Sequence, residues 1–342
     1  MFKNIILIQL IRIQYFKCKI LLIFKNVGLT KIFVRRRLKQ RVYIFNPMKQ
    51  TSPLFLLFVL TPLLFFGQTT RVFVAAHQDD WQLFMGTKVF ESAQNAEDET
   101  VILHVTAGDA GHKTANDAYY KAREASALAA ARFAVNAYGS GAFYGDEMKR
   151  EWLQMNGHLL LKYTYKRLSV YFMRLPDGNG DGSGFEANEN KSLEKLFNRQ
   201  VIDFSTIDGQ ATYSNKEDLV GTLKTLLTQL KQNRPLELHL TDTDAARNPG
   251  DHSDHRVASL FAQEASKGFE NTTLYFYTGY HMRTLEPNLN PEEIKIKSAL
   301  WGVSTAALAD HRHYSSWDSL HNAYLDREYF RVKVLQPNKA QR

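Results

Sequence analysis

Val72-Phe-Val-Ala-Ala-His77-Gln-Asp79-Asp80-Trp81 decides how the 342-residue chain is read. Residues 72–76 are apolar without alternation and then stop abruptly at a histidine and two adjacent carboxylates. An unbroken apolar run of this kind fits a central parallel strand covered on both faces. Ligands in such sheets sit beyond the carboxyl ends of the strands, and His77, Asp79 and Asp80 fall on that rim.

Downstream, strand and helix patterns alternate. The sequence predicts a helix over 82–96, a strand over 100–106, the loop Thr106-Ala-Gly-Asp-Ala-Gly111, and an Ala-rich helix over 116–136 with Asn116 as its cap. Such a β-α-β-α opening argues for a parallel sheet with right-handed crossovers. Further strands are expected at 168–175, 236–241 and 273–278, with helices at 216–232 and from 252 to 266. Residues 142–166 are mixed and aromatic without a clear period, and the chain after 278 reads as loop and a helical, aromatic tail. No repeat or linker divides residues 70–335. The expectation is a single α/β domain, a Rossmann-like three-layer sandwich around a mostly parallel sheet.

The charge of the whole chain misleads. Residues 1–67 hold 12 of the 43 Lys and Arg and no Asp or Glu, which leaves 31 basic and 35 acidic residues in 68–342, a formal −4. The basic character belongs to the leader, and nucleic acid is not expected as a partner. From Met48 a short basic start and an apolar run to Phe66 describe a secretory signal rather than a membrane span, which needs about 20 apolar residues. Residues 48–67 are read as that signal, residues 1–47 as a gene-model artefact or disordered leader, and the mature protein as secreted or periplasmic without a transmembrane span. The only cysteine, Cys18, lies upstream. A metal site in the mature protein must therefore use His, Asp or Glu.

Those residue types recur far along the chain in His252-Ser-Asp254-His255. Residues three apart on a helix share a face, so both histidines can point to one place. Two histidines and one carboxylate with positions open for water make a catalytic zinc shell, and a second carboxylate is left over as a base. Separately, Asp177-Gly-Asn179-Gly-Asp181-Gly182 matches the opening of a calcium loop, although Asn188 stands at its twelfth position instead of glutamate.

Ala76-His77-Gln78-Asp79-Asp80, Thr106 to Gly111, Leu175-Pro-Asp177-Gly178 and His252-Ser-Asp254-His255 together resemble the motifs of the PIG-L (LmbE-like) family of zinc-dependent N-deacetylases. The resemblance implies His77, Asp80 and His255 as zinc ligands and Asp79 as general base. It implies a protonated His252 acting on the oxyanion or the leaving amine, with Asp254 orienting it, and Arg123 and Asp177 contacting sugar hydroxyls. The implied substrate is an N-acetylglucosamine-containing glycan or glycoconjugate. A non-sugar amide, or a carbohydrate-binding relative with impaired catalysis, remains open at this point, as does the oligomeric state. The chain departs from the family pattern at Gln78, where proline is usual, at Trp81 and Ser126, where acidic residues are usual, and at Gly250, where some members have tyrosine. Trp81 is expected to offer an apolar platform for a sugar face.

Overall fold

A computed structural model of the chain describes residues 68–112, 119–139 and 147–335. Cys18, the leader, the signal segment and Asn116 lie outside these residues. The opening strand, Thr70–Ala75 (β1), is buried at every position but Arg71. It is followed by Glu99–Thr106 (β2), Lys149–Met155 (β3), His158–Tyr165 (β4), Leu168–Leu175 (β5), Phe204–Ser205 (β6), Thr212–Tyr213 (β7), Leu236–Thr241 (β8), Thr272–Tyr277 (β9) and Phe330–Val334 (β10). Eight of these form one sheet in the order β10-β9-β8-β1-β2-β5-β4-β3, while β6 and β7 pair with each other.

The central run β9-β8-β1-β2-β5 is parallel. The outer strands β10, β4 and β3 are antiparallel to their neighbours. From β1 the chain adds β2 and β5 on one side and later β8 and β9 on the other, so the winding reverses between β1 and β8. Open sheets leave a crevice at the carboxyl ends of two such strands. Helices cover both faces. One face packs against Lys216–Lys231 and Ser253–Ala265 through residues such as Leu226, Val257 and Phe261. The other packs against Gly86–Gln94, Tyr119–Asn136 and Pro291–Asp310 through Val89, Ala130 and Trp301. The three-layer α/β sandwich with a mostly parallel sheet is thus the observed fold. Among the described residues no helix is long and apolar enough to cross a membrane.

The structure departs from the sequence reading in three places. The helix expected over 82–96 is broken at Met85, which leaves helical geometry between Asp80–Phe84 and Gly86–Gln94. Residues 149–165, which showed no period, form the β3–β4 hairpin, turning at Asn156 (φ 50) and Gly157 (φ 87). Asn-Gly suits a turn with positive φ at both central residues. The end strand β3 buries only Met155, so it has no hydrophobic alternation to read. The tail is a helix followed by the edge strand β10. Its helix begins at a complete capping box, in which Asn290 accepts the N–H groups of Glu292 and Glu293, and Glu293 accepts the N–H of Asn290.

Glu328, just before β10, ties this tail down. Its carboxylate accepts the Thr87 N–H at 2.9 Å and the Lys88 N–H at 3.3 Å, so it caps the helix Gly86–Gln94 from outside. Lys297 lies 3.8 Å from it and is fully buried. Burial outweighs the attraction of Glu328 and pushes the Lys297 ammonium down to about 8. A lysine lowered in the folded state binds fewer protons than in the unfolded chain between that value and its ordinary one near ~10.4, so stability rises with pH across that window. Urea unfolding of the wild type from pH 8 to 9.5 is therefore expected to show a rising midpoint, and Lys297→Met to lose that rise. An equal slope in the two proteins would count against the assignment.

Candidate active site

Three loops meet in the crevice. The turn after β1 carries His77, Asp79 and Asp80, the turn after β5 carries Asp177, and the loop after β8 leads through Asp251 and His252 into the helix Ser253–Ala265. His77 Nδ1 lies 3.2 Å from His255 Nε2. Asp80 Oδ1 lies 3.1 Å from that same Nε2 and 3.6 Å from His77 Nδ1. Tetrahedral zinc, with bonds of about 2.0–2.1 Å, holds its donors about 3.3–3.4 Å apart. The three atoms thus stand at the spacing of three ligands around one ion.

The remaining ring nitrogens face acids. His255 Nδ1 is 2.9 Å from Asp251 Oδ1, which assigns the proton to Nδ1 and leaves the Nε2 lone pair turned inward. His77 Nε2 lies 3.4 Å from Asp254 Oδ2 and 3.7 Å from Asp177 Oδ2 and has no aligned hydrogen-bond partner among the described residues. Burial by itself would discharge both rings. Asp80 with Asp177 and Asp254 around His77, and Asp80 with Asp251 around His255, outweigh it and hold both well above the ordinary imidazole value. Asp80 is likewise opposed by burial, yet His255 and His77 keep it well below the usual carboxylate range. Asp80, Asp177 and Asp251 around these two imidazoles favour positive charge, as protons on the rings or as a divalent cation in their place, whereas burial pushes Asp254 up toward its neutral form.

His252 and Asp254 are arranged differently from expectation. His252 is the N-cap of the helix Ser253–Ala265, and its Nδ1 accepts the Asp254 N–H at 3.1 Å. Burial, then repulsion from His77 and His255, push it down to about 3. The expected protonated His252 is thus corrected to a neutral ring that donates from Nε2–H. The Asp254 side chain accepts the Gly178 N–H at 2.8 Å and faces His77, with a His252 ring nitrogen within 4.8 Å of its carboxylate. Gly178 is required for that approach, because a Cβ there would stand 2.5 Å from Asp254 Oδ1.

Arg123, expected among the sugar contacts, reaches Asp79 through Nη2 and the Gly108 carbonyl through Nη1 at 2.8 Å. Gly108 (φ 55) admits this guanidinium, since a Cβ would fall 2.7 Å from Nη1. Asp79 occupies the N-cap position of Asp80–Phe84 but makes no capping bond with its side chain. Asp177 borders the histidines, with its own N–H on Asp109 Oδ1 at 2.8 Å. The segment that resembles the opening of a calcium loop makes local hydrogen bonds. Asn179 Oδ1 accepts the Gly180 N–H and Asp181 Oδ1 the Ser183 N–H, while Asp177 joins the histidine cluster. Trp81 is completely buried in the core, so the expected sugar platform is also corrected. The helix that opens at Asp80 rotates its second residue inward.

A family model described as PIG-L: GlcNAc-PI de-N-acetylase matches residues 72–266, more than half of the chain. The chain belongs to the PIG-L family. Membership supports an N-deacetylase, a hydrolase of amides. No curated protein matches the chain. Solved structures similar to it include N,N′-diacetylchitobiose deacetylase from Pyrococcus horikoshii, at 14% identity and TM-score 0.37 over 80% of this chain and 83% of that one. Another is the zinc-inhibited form of a teicoplanin deacetylase, at 13% and 0.38 over 75% and 90%. A third is 4-carboxy-2-hydroxymuconate hydratase from Pseudomonas putida, at 14% and 0.39 over 75% and 82%.

Two residues of this PIG-L member escaped the sequence reading. Asp251 precedes His255 by four residues, one helical turn, and that spacing was its available signal. Tyr280 had none, because it arrives from the loop after β9. Its ring stands edge-on to His255 at 5.0 Å, and its N–H donates to Asp251 Oδ1 at 3.1 Å. Replacing the acid that orients a metal-binding imidazole costs about 10–100-fold in affinity. Asp251→Asn is accordingly expected to weaken zinc binding by about that factor in a chelator competition, while His255→Ala abolishes it. Undiminished affinity in Asp251→Asn would show that His255 is oriented by other groups.

Proposed function

We propose that the chain is a secreted, metal-dependent N-deacetylase that hydrolyses the acetamide of an N-acetylglucosamine-containing glycan or glycoconjugate. The observation that carries this reading is the trio of His77 Nδ1, His255 Nε2 and Asp80 Oδ1, mutually 3.1–3.6 Å apart, with Asp79 beside them. A divalent ion bound there, zinc by the chemistry of the donors, would polarise the amide carbonyl and acidify a water. The protein supplies the rest. Asp79, fixed by Arg123, accepts the proton of the attacking water. His252, neutral and capped into the helix start, offers Nε2–H to the oxygen on which negative charge develops. Asp177 lies 3.9 Å from that nitrogen, which supports a role for it in meeting a sugar hydroxyl. The apolar segment at 48–67 directs the substrate class toward glycans outside the cytoplasm.

Acetate release by the zinc-loaded protein from N-acetylglucosamine glycosides tests the proposal. Asp79→Asn should retain zinc and lose about 10²–10⁴ in turnover, the range of a positioned base. His252→Ala should also retain zinc and lose about 10²–10³, the scale of one oxyanion donor. Turnover that survives Asp79→Asn would exclude this mechanism. Glycan binding by zinc-loaded wild type without any acetate release would indicate a binding module.

A further inference from the structure

An open groove of about 560 Å³ lies between the helix Tyr119–Asn136 and the β3–β4 hairpin. It shares two elements with the site. On the helix, Arg123 turns to Asp79 while its neighbours Tyr120 and Glu124 turn into the groove. At the end of β5, Arg174 lines the groove and Asp177, three residues on, reaches His77.

The lining combines aromatic rings, Tyr120, Trp152 and Tyr163, with charged side chains. Its carboxylates are already engaged. Arg174 binds Glu124 through two bonds of 2.6 and 2.7 Å and Asp208 through one of 2.6 Å. Two further cations are not balanced in this way. Arg150 and Lys121 are exposed and lie 5.6 Å from the ring centroids of Trp152 and Tyr120; Lys121 is also within electrostatic reach of Glu124, three residues on. Trp152 leaves 36% of its surface open although it carries a large apolar ring. A purely lipidic ligand would leave the buried Arg174 network and both exposed cations without complementary groups. An acidic sugar fits all three features, with its C–H face on the rings, its hydroxyls toward Asp208 and Gln210, and its anion toward Arg150 and Lys121.

We propose that this groove is a subsite for an anionic sugar, carrying carboxylate or sulfate, that adjoins the acetylated residue in an acidic oligosaccharide. The proposal rests on the reading of the histidine cluster as the site of the acetamide. It identifies the substrate as an acidic amino-sugar polymer instead of a neutral one.

The test is calorimetric titration of the full chain carrying Asp79→Asn, so that ligands stay intact. The ligands are oligosaccharides alternating hexuronate with N-acetylhexosamine, their carboxyl-reduced counterparts, and the reduced counterparts bearing sulfate. The acidic form is expected to bind about tenfold or more tighter than the reduced one, with a preference that shrinks as salt rises. Sulfate on the reduced oligomer should restore binding if the anion alone is recognised, and should leave it weak if the carboxylate geometry matters. Arg150→Glu, at an exposed position with little consequence for folding, should abolish the preference, and Trp152→Ala should weaken all three ligands. Equal affinity for acidic and reduced oligomers, or a preference untouched by Arg150→Glu, overturns the proposal. Failure of the deacetylase reading would appear separately, as no acetate release by the zinc-loaded wild type from any of these ligands.

Discussion

The structure depends on placing four carboxylates and three imidazoles together in a crevice nearly closed to water. Asp80, Asp177, Asp251 and Asp254 all lie within reach of His77, His252 or His255. Unpaired buried charges of this density would cost several kcal/mol each. The fold meets the cost largely with backbone N–H groups aimed at the acids. His77 donates to Asp80, Asn179 to Asp177, Tyr280 to Asp251 and Gly178 to Asp254. Main-chain donors cannot swing away, so the acids keep their positions whether the balancing charge comes from protons or from an ion.

That requirement explains why the site sits where it does. The reversal of winding between β1 and β8 opens a crevice into which both strand-end loops project, and β5 supplies the third wall. The helix Ser253–Ala265 begins inside the crevice. Its free N–H groups favour acceptors there, and the Nδ1 of His252 is one of them. A histidine at that position does two jobs at once: its Nδ1 closes the helix and its Nε2–H is left to act on a ligand. A protonated ring could not do both, because capping consumes the lone pair that protonation would occupy.

What could be read in advance follows from the range of the interactions. β1 was legible because burial on both faces removes alternation, and His252 and His255 because helical geometry relates residues three apart. The motif order along the chain singled out His77, Asp80 and His255, which the structure brings together although Asp80 is 175 residues from His255. Tyr280 and the turning of Asp254 toward His77 were not legible, since both are set by packing between distant segments. Trp81 failed for a local reason. It was read by its place in a motif, whereas the helix that opens one residue earlier fixes its direction and buries it. The β3–β4 hairpin carried its Asn-Gly turn in plain view. An end strand with one buried residue gave no alternation to support it.

The helix Tyr119–Asn136 links these observations to substrate choice. Its consecutive residues Arg123 and Glu124 enter ion pairs on different sides, one with Asp79 in the site and one with Arg174 in the groove. Alanines at 127, 130, 131 and 134 let the helix lie close on the sheet, so little freedom is left to either pair. The helix thus joins Asp79, which we propose as the base, to the groove. Chain length and charge pattern in the ligand can then be selected by geometry, without a moving part. Glu124 and Asp208 exceed the charge of Arg174 by one, so the exposed Arg150 and Lys121 are what bring the groove to a formal positive charge. Neither Arg150 nor Lys121 touches the histidine cluster, so on the proposed reading the specificity of the groove is separable from the chemistry of the cluster.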